Sequence, residues 1–334
     1  VVHSGDWKLD DTPSIPPEMA EKRLREIGDE GVDVLVCDST NALREGLSPS
    51  ERDVGDTLAR MIAEAPDRVA VTTFASHIGR LLTVIRAARK AGREVVVAGR
   101  AMRTMIEAAR EVGLLKDAGT FLEEAAYGYL PRAKVLLLCT GSQGETRAAL
   151  ARIANDSHPT ITLDAGDLVI YSSKTIPGNE KAVSAVMNRL AEQGVEIVTS
   201  DDALVHTSGH PRQGELKVFY DWLKPGAVVP MHGEARHLER QRTFAESCGI
   251  SATIVARNGD IVRLLPGPPE VVDEAPAGRL HVDGRLIVPS YDGPARLRRK
   301  LSFSGIIFVS IILDSKGQVL SDPQLVMDGV PDTD

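Results

Sequence analysis

Short apolar runs alternate along the chain with longer amphipathic stretches. The runs "VDVLVC" (32–37), "RVAVTTF" (68–74), "REVVVAG" (93–99), "AKVLLLC" (133–139), "DLVIYSS" (167–173), "VEIVTS" (195–200) and "AVVPMHG" (227–233) are aliphatic and β-branched, and their lengths fit strands. Residues 78–92, 103–113, 180–194 and 238–249 carry helical periodicity and end in the glycine expected just past a helix C-terminus. Strands alternating with helices predict an α/β protein with largely parallel sheets. The proline- and acid-rich stretch 265–278 reads as a linker. Beyond it, "LIVPSYDG" (286–293), the basic "ARLRRK" (295–300), "SGIIFVSIILD" (304–314) and "GQVLSDPQLVMDG" (317–329) read as the start of a separate small β-containing domain.

Composition narrows the class without naming a reaction. A chain of 334 residues, 43% hydrophobic and 26% charged, can form about two domains with a buried core. Its longest strongly apolar run, Ile306 to Leu313, is interrupted by Ser310 and is far shorter than the roughly 20 residues that span a bilayer, so no membrane partner is expected. Cysteines occur only at 37, 139 and 248, with no CxxC, which points to a reducing, cytoplasmic setting. A formal net charge of −8 argues against nonspecific coating of nucleic acid. It leaves room for a nuclease, whose positive potential can sit locally in bound metal ions and a few arginines.

The polar residues of interest mostly follow strand runs: Asp38 to Asn41, Ser76 and His77, Arg100, 141–145, Ser172 and Ser173, 206–210, and 232–234. Ligands of open α/β sheets bind at the carboxyl ends of strands, where helix N-termini offer free amides to anions. One long polar crevice is the expectation. In "DDALVHTSGHPRQGE" (201–215), His206 and His210 stand four apart like helical metal ligands, yet Thr207, Ser208, Gly209 and Pro211 make the segment a loop. In "HSGDWKLD" (3–10), Asp6 follows a strand and a glycine and lies beside His3, Lys8 and Asp10. Taken singly, "DSTN" also reads as an Asx turn with a helix cap, and "GSQGE" as a turn lacking the lysine and spacing of a P-loop.

In order, "HSGDWKLDDTP", "CDSTN", "TTFASHIGR", "AGRAMR", "LLCTGSQGE", "SSKTIPGNE", "HTSGH" and "PMHGE" resemble the ribonuclease J family, β-CASP members of the metallo-β-lactamase-fold nucleases. The resemblance implies an α/β fold: a metallo-β-lactamase-fold remnant of the αββα type over 1–30 and 195–266, an inserted β-CASP domain of mainly parallel sheet over 31–194, a linker over 267–290 and the start of an α+β C-terminal domain over 291–334. It further implies zinc-dependent hydrolysis of RNA phosphodiesters, with 5′-to-3′ exonuclease and endonuclease activity in RNA maturation and decay. Two zinc ions serve such a site, yet the family's H-x-H-x-D-H motif occurs nowhere in the chain, so the chain alone is expected to be inactive.

Residue by residue, the resemblance makes Asp6 a metal-bridging carboxylate, His232 a zinc ligand, and Asp38 a group that orients a ligand from behind. His210 faces the reaction as an acid or charge stabiliser. His206, Thr207, Ser208 and Gly209 shape the phosphate pocket, with Gly209 allowing close backbone approach. Ser76, His77 and Ile78 form a nucleotide-contacting turn at a helix start, suited to a 5′-monophosphate. Asp283 is matched to a linker aspartate that helps hold a structural Ca²⁺ or other divalent ion. Expected partners are single-stranded RNA and further copies of the chain, as dimers or tetramers. Two rivals stay open: a β-CASP nuclease for another nucleic acid, and a non-catalytic RNA-binding scaffold.

Overall fold

The computed structural model describes residues 1–15, 21–289 and 293–330. Its first compact unit comprises Val1–Val255 with Gly267–Pro269. In chain order the unit contains β1 (Val2–His3), α1 (Glu21–Glu30), β2 (Val34–Asp38), α2 (Glu51–Glu64), β3 (Val69–Thr72), α3 (Ile78–Lys90), β4 (Glu94–Ala98) and α4 (Arg100–Glu111). There follow β5 (Val135–Cys139), α5 (Ala149–Ala154), β6 (Leu168–Tyr171), α6 (Glu180–Glu192), β7 (Glu196–Val198), α7 (Gln213–Leu223), β8 (Ala227–Met231), α8 (Ala235–Ser247) and β9 (Ala252–Thr253). All seven expected strands form. The helices at 103–113 and 238–249 begin three residues early, at Arg100 and Ala235. At the second of these, the Glu234 side chain and His237 close a capping box.

Two parallel sheets organise the unit. One has the order β4-β5-β3-β6-β7, the other β1-β2-β8-β9. The five-stranded sheet is covered on both faces, which is why its strands read as unbroken apolar runs rather than as alternating patterns. Val69, Val71, Leu136 and Leu138 pack with α2, α3 and α4, whereas Ala70, Leu137 and Val169 pack on the opposite face with α5 and α6. In the four-stranded sheet, Leu35, Cys37 and Val228 bury against Phe219, Tyr220 and Leu223 of α7 and Ala245 of α8. All three cysteines are free, and burial pushes the Cys37 and Cys139 thiols up to about 12.

Strand pairing moves the expected domain limits. Asp38 of β2 lies in register with Met231 of β8, so 34–38 belongs to the same sheet as 227–231 and not to an insertion starting at 31. Conversely, Ile197 pairs with Val169, which places 196–198 in the inserted sheet and not in the return segment. An apolar run states that a strand is buried; which edge it joins depends on partners nearly 200 residues away.

The second unit comprises Ala256–Pro266 and Glu270–Asp334. It holds β10 (Asp260–Arg263), β11 (Glu270–Glu274), β12 (Leu280–Asp283), β13 (Leu286–Pro289), α9 (Gly293–Ser304), β14 (Ile306–Ser310) and β15 (Gln324–Asp328). The strands pair as three antiparallel hairpins. The stretch expected as a linker therefore contains ordered strands: β11 returns along β10 because Val262 and Val271 face one another in register. The expected boundary at 290/291 lies outside the described residues, as does part of "LIVPSYDG". No helix among the described residues is long and apolar enough to cross a membrane.

Candidate active site

Parallel pairing puts the carboxyl ends of β1, β2 and β8 on one edge, and the polar residues that follow each strand converge there. Asp38 ends β2 with its side chain fully buried. A buried carboxylate needs partners, and Asp38 has them: Oδ1 accepts from the Thr40 amide at 2.9 Å and Oδ2 meets His210 Nδ1 at 2.6 Å. His232, just past β8, places Nδ1 at 3.0 Å from Asp6 Oδ1 and 3.8 Å from Asp38 Oδ1. The rings of His210 and His232 stand edge to face at 5.2 Å.

His232 adopts φ of +57°, a left-handed conformation that costs a non-glycine residue about 1–3 kcal/mol. The strain is held by its own backbone: the His232 carbonyl accepts from Thr40 Oγ1 at 2.9 Å, and a Cβ on the following Gly233 would lie 2.8 Å from Ser39 Oγ. The turn thus fixes the imidazole against Asp6.

Asp6, Asp38, His210 and His232 each offer a ligand atom, all within 4.8 Å of one another. Carboxylates and imidazoles brought this close suit a borderline divalent ion such as zinc. Asp38 and His210 thus stand beside Asp6 and His232, the two ligands expected from sequence, with His210 Nδ1 engaged by Asp38.

The loop 206–210 is held from several sides. Asn41 Nδ2 donates to Ser208 Oγ at 2.9 Å and to the His210 carbonyl at 3.0 Å. Thr207 is buried, and its hydroxyl donates to the Pro49 carbonyl at 2.8 Å, so it serves the loop's shape. A Cβ at Gly209 would meet nothing within 4 Å, so the absence of a side chain there is not required by the fold. The hydrogen bond that His210 Nδ1 donates to Asp38 raises the His210 pKa against the effect of partial burial. Burial acts the other way on His206, lowering it to about 4, and its Nδ1 is buried without a hydrogen-bond partner.

Behind this loop lies a buried ion pair that the sequence did not disclose. Arg80 is fully buried on α3 and donates to Glu51 through Nε (3.1 Å) and Nη2 (2.9 Å) and to the Val205 carbonyl (2.9 Å). It also reaches Ser172 Oγ at 2.6 Å, joining the end of β6 to the residue preceding His206. Glu51 is pushed upward by burial but held down to about 2 by His77 and Arg80. The available signals were modest: Ser50 and Asp53 form the capping box that starts α2, and Arg80 is the one cation in the mostly apolar first two turns of α3, 78–85.

Other expected residues divide. Lys8 and Asp10 pair at 3.1 Å, and Asp10 accepts the Glu51 amide at 2.8 Å, so they fasten the first segment to α2. His77, not Ser76, caps α3, accepting the Arg80 amide on Nδ1 at 3.1 Å. The Ile78 amide donates to the Ser76 carbonyl at 3.0 Å, which leaves fewer free amides at this turn than expected. Gln143 of "GSQGE" is nearly buried and clamps the 174–179 turn through the Lys174 carbonyl, the Ile176 amide and Asn179. Asp283 lies on β12 of the second unit and is paired with Arg298; it belongs to no metal-capable group of described residues.

Comparison with known proteins identifies the family. Residues 66–190 match the family model described as ribonuclease J, beta-CASP domain, and residues 181–254 match the Zn-dependent metallo-hydrolase RNA specificity domain. Ribonuclease J of Sinorhizobium meliloti is 52% identical over 334 residues, covering 100% of this chain and 59% of that protein. Ribonuclease J of Corynebacterium glutamicum is 40% identical over 98% of the chain and 46% of its own length, and that of Thermus thermophilus 40% over 93% and 55%. The chain therefore spans about half the length of these relatives. With two parallel sheets, an inserted domain built on the five-stranded one, and identity along its whole length, the chain belongs to the ribonuclease J family of β-CASP, metallo-β-lactamase-fold proteins.

Proposed function

We propose that this chain supplies the acid–base histidine, part of the metal ligand set and the phosphate-binding loop of a zinc-dependent ribonuclease that cuts RNA phosphodiesters from the 5′ end and internally. The observation that carries this reading is the meeting of Asp6, Asp38, His210 and His232 beside the 206–210 loop. Asp38 takes Nδ1 of His210 and favours its charged form, which leaves Nε2 to hold a proton for the leaving 3′ oxygen. Ser208 and the unobstructed backbone at Gly209 can bond the scissile phosphate. Zinc bound by this donor set would lower the pKa of water to about 7 and draw charge from phosphoryl oxygens. Cytoplasmic location, assembly into dimers or tetramers and preference for 5′-monophosphorylated single strands belong to the same proposal.

Two variants of the intact protein test the division of roles. His210→Ala should slow RNA cleavage roughly 10² to 10⁴ fold, the range of a positioned acid or base, with zinc content retained. His232→Ala should lower zinc content by elemental analysis. Equal zinc loss in both would make His210 a ligand and overturn its role as proton donor. Cleavage of a matched DNA oligomer as fast as RNA would favour the nuclease of another nucleic acid.

A further inference from the structure

Two cavities open beyond the carboxyl ends of β4 and β5, away from the metal-capable group, and they share Gly99, Arg100 and Arg147. The smaller, of about 330 Å³, begins at Thr73, Phe74 and Ala75, next to the Ser76–His77 turn. The larger, of about 620 Å³, continues past Arg103 and Arg152. On a chain whose formal net charge is −8, this larger cavity gathers four guanidinium groups against two carboxylates, Glu107 and Glu124.

The fold uses those arginines unequally. Arg103 pairs with Glu124 and also reaches the Val97 carbonyl, and Arg152 donates to the Ser157 carbonyl at 3.4 Å. Arg100 and Arg147 are exposed, and among the described residues neither has a carboxylate within ion-pair range. Glu145, the acid of the smaller cavity, is turned to the Gln143 amide at 3.1 Å. Two uncommitted cations on a protein of this charge are free to serve an anionic ligand. The larger cavity is lined by no Phe, Tyr or Trp, and the side chain of its one ring, His158, is only 3% exposed, so its chemistry suits phosphate rather than nucleobase; the smaller cavity adds Phe74 at its far end.

We propose that the two cavities form a phosphate-binding track for single-stranded RNA on the inserted domain, with Arg100 and Arg147 as its contacts. The track rests on the ribonuclease reading above and extends it: nucleotides beyond the reacting one are gripped through their backbone, without regard to sequence. It makes binding depend on substrate length and on salt, because each neutralised phosphate of a single strand contributes about 0.7 to the logarithmic salt slope.

The test uses the intact, zinc-loaded protein with 2′-O-methyl oligoadenylates of twenty and four nucleotides, labelled at the 3′ end and read by fluorescence anisotropy across a salt series. Arg100→Ala/Arg147→Ala should weaken the long probe about tenfold and lower its salt slope by about 1.4, leaving the short probe within twofold. Arg100→Lys/Arg147→Lys should restore most of the loss, since a phosphate needs the charge more than the fork. Unchanged binding of the long probe, with the short RNA still bound and cut, overturns the track alone. Tight ATP binding that the alanine pair abolishes while long-RNA affinity stays intact overturns it in favour of a mononucleotide site. If the unmodified protein neither binds nor cuts short RNA, the ribonuclease reading fails and the track falls with it.

Discussion

Replacing Arg80 with methionine should be the most damaging single change near the candidate site, although its guanidinium touches no metal-capable side chain. The side chain is fully buried, and its guanidinium satisfies Glu51, Ser172 and the Val205 carbonyl together. Methionine matches the length and removes the charge, leaving the Glu51 carboxylate, only 13% exposed, with His77 Nε2 at 3.5 Å in place of the guanidinium. Removing one partner of a buried pair costs about 3–5 kcal/mol. The pKa bounds the figure from another side: His77 and Arg80 together hold Glu51 at about 2 instead of the ordinary 4.5, which at about 1.4 kcal/mol per unit is roughly 3 kcal/mol shared between the two partners. The sign fixes the pH window. A depressed carboxylate stabilises the native state fully above its unfolded value and loses that contribution as pH falls through about 2. In Arg80→Met the same buried carboxyl prefers its proton, so the gap between variant and parent should be near 3 kcal/mol at pH 7 and shrink as pH falls from about 5 toward 2. Urea unfolding followed by tryptophan fluorescence reads this, because both tryptophans lie in the first unit, Trp222 in the core of the four-stranded sheet and Trp7 stacked on Phe219 at 4.2 Å. Far-UV circular dichroism on the same samples checks that one transition is being followed. Arg80→Lys should recover part of the loss, since an ammonium keeps the charge but cannot span all three acceptors. A penalty under about 1 kcal/mol at pH 7, or one that does not shrink in acid, would refute the reasoning.

Gly209→Ala should fold with less than about 1 kcal/mol of change, because the added Cβ meets no atom; a drop in RNA cleavage at unchanged urea midpoint then isolates substrate approach, and unchanged cleavage removes Gly209 from the phosphate pocket. His206 is held neutral down to about 4 by burial, so the unfolded chain takes up its proton first and stability should fall as pH drops from about 6.5 to about 4, by at most about 3 kcal/mol. His206→Gln should flatten that part of the pH–stability curve, and an unaltered slope would show the imidazole is better solvated than its burial implies. Ser76→Trp places bulk at the exposed turn before α3 without touching the His77 cap. In the intact protein it should reduce exonuclease action on 5′-monophosphorylated RNA more than internal cleavage, and a proportional loss of both would remove this turn from 5′-end recognition.

The sequence by itself determined the elements and their class. Seven apolar runs became seven strands because a parallel sheet covered on both faces demands side chains that are apolar on both. Polar clusters after those runs marked the edge where Asp6, Asp38, His210 and His232 meet, since parallel strands send every carboxyl end the same way. Helices were less legible: α1, α2, α5 and α7 escaped notice, α2 beginning at a capping box and α7 at the end of a loop whose Pro211 and glycine read as breakers. Tertiary structure alone decided which sheet each strand joins, pairing 34–38 with 227–231 and 196–198 with 168–170. It also decided pairings that local pattern cannot carry: Asp38 with His210 across 172 positions, and Arg80 with Val205 across 125. A loop histidine and a helical arginine look alike whether solvated or committed. Only the chain's long-range closure made one the hydrogen-bond partner of a buried aspartate and drew the other out of water, where a guanidinium must find every acceptor it can reach.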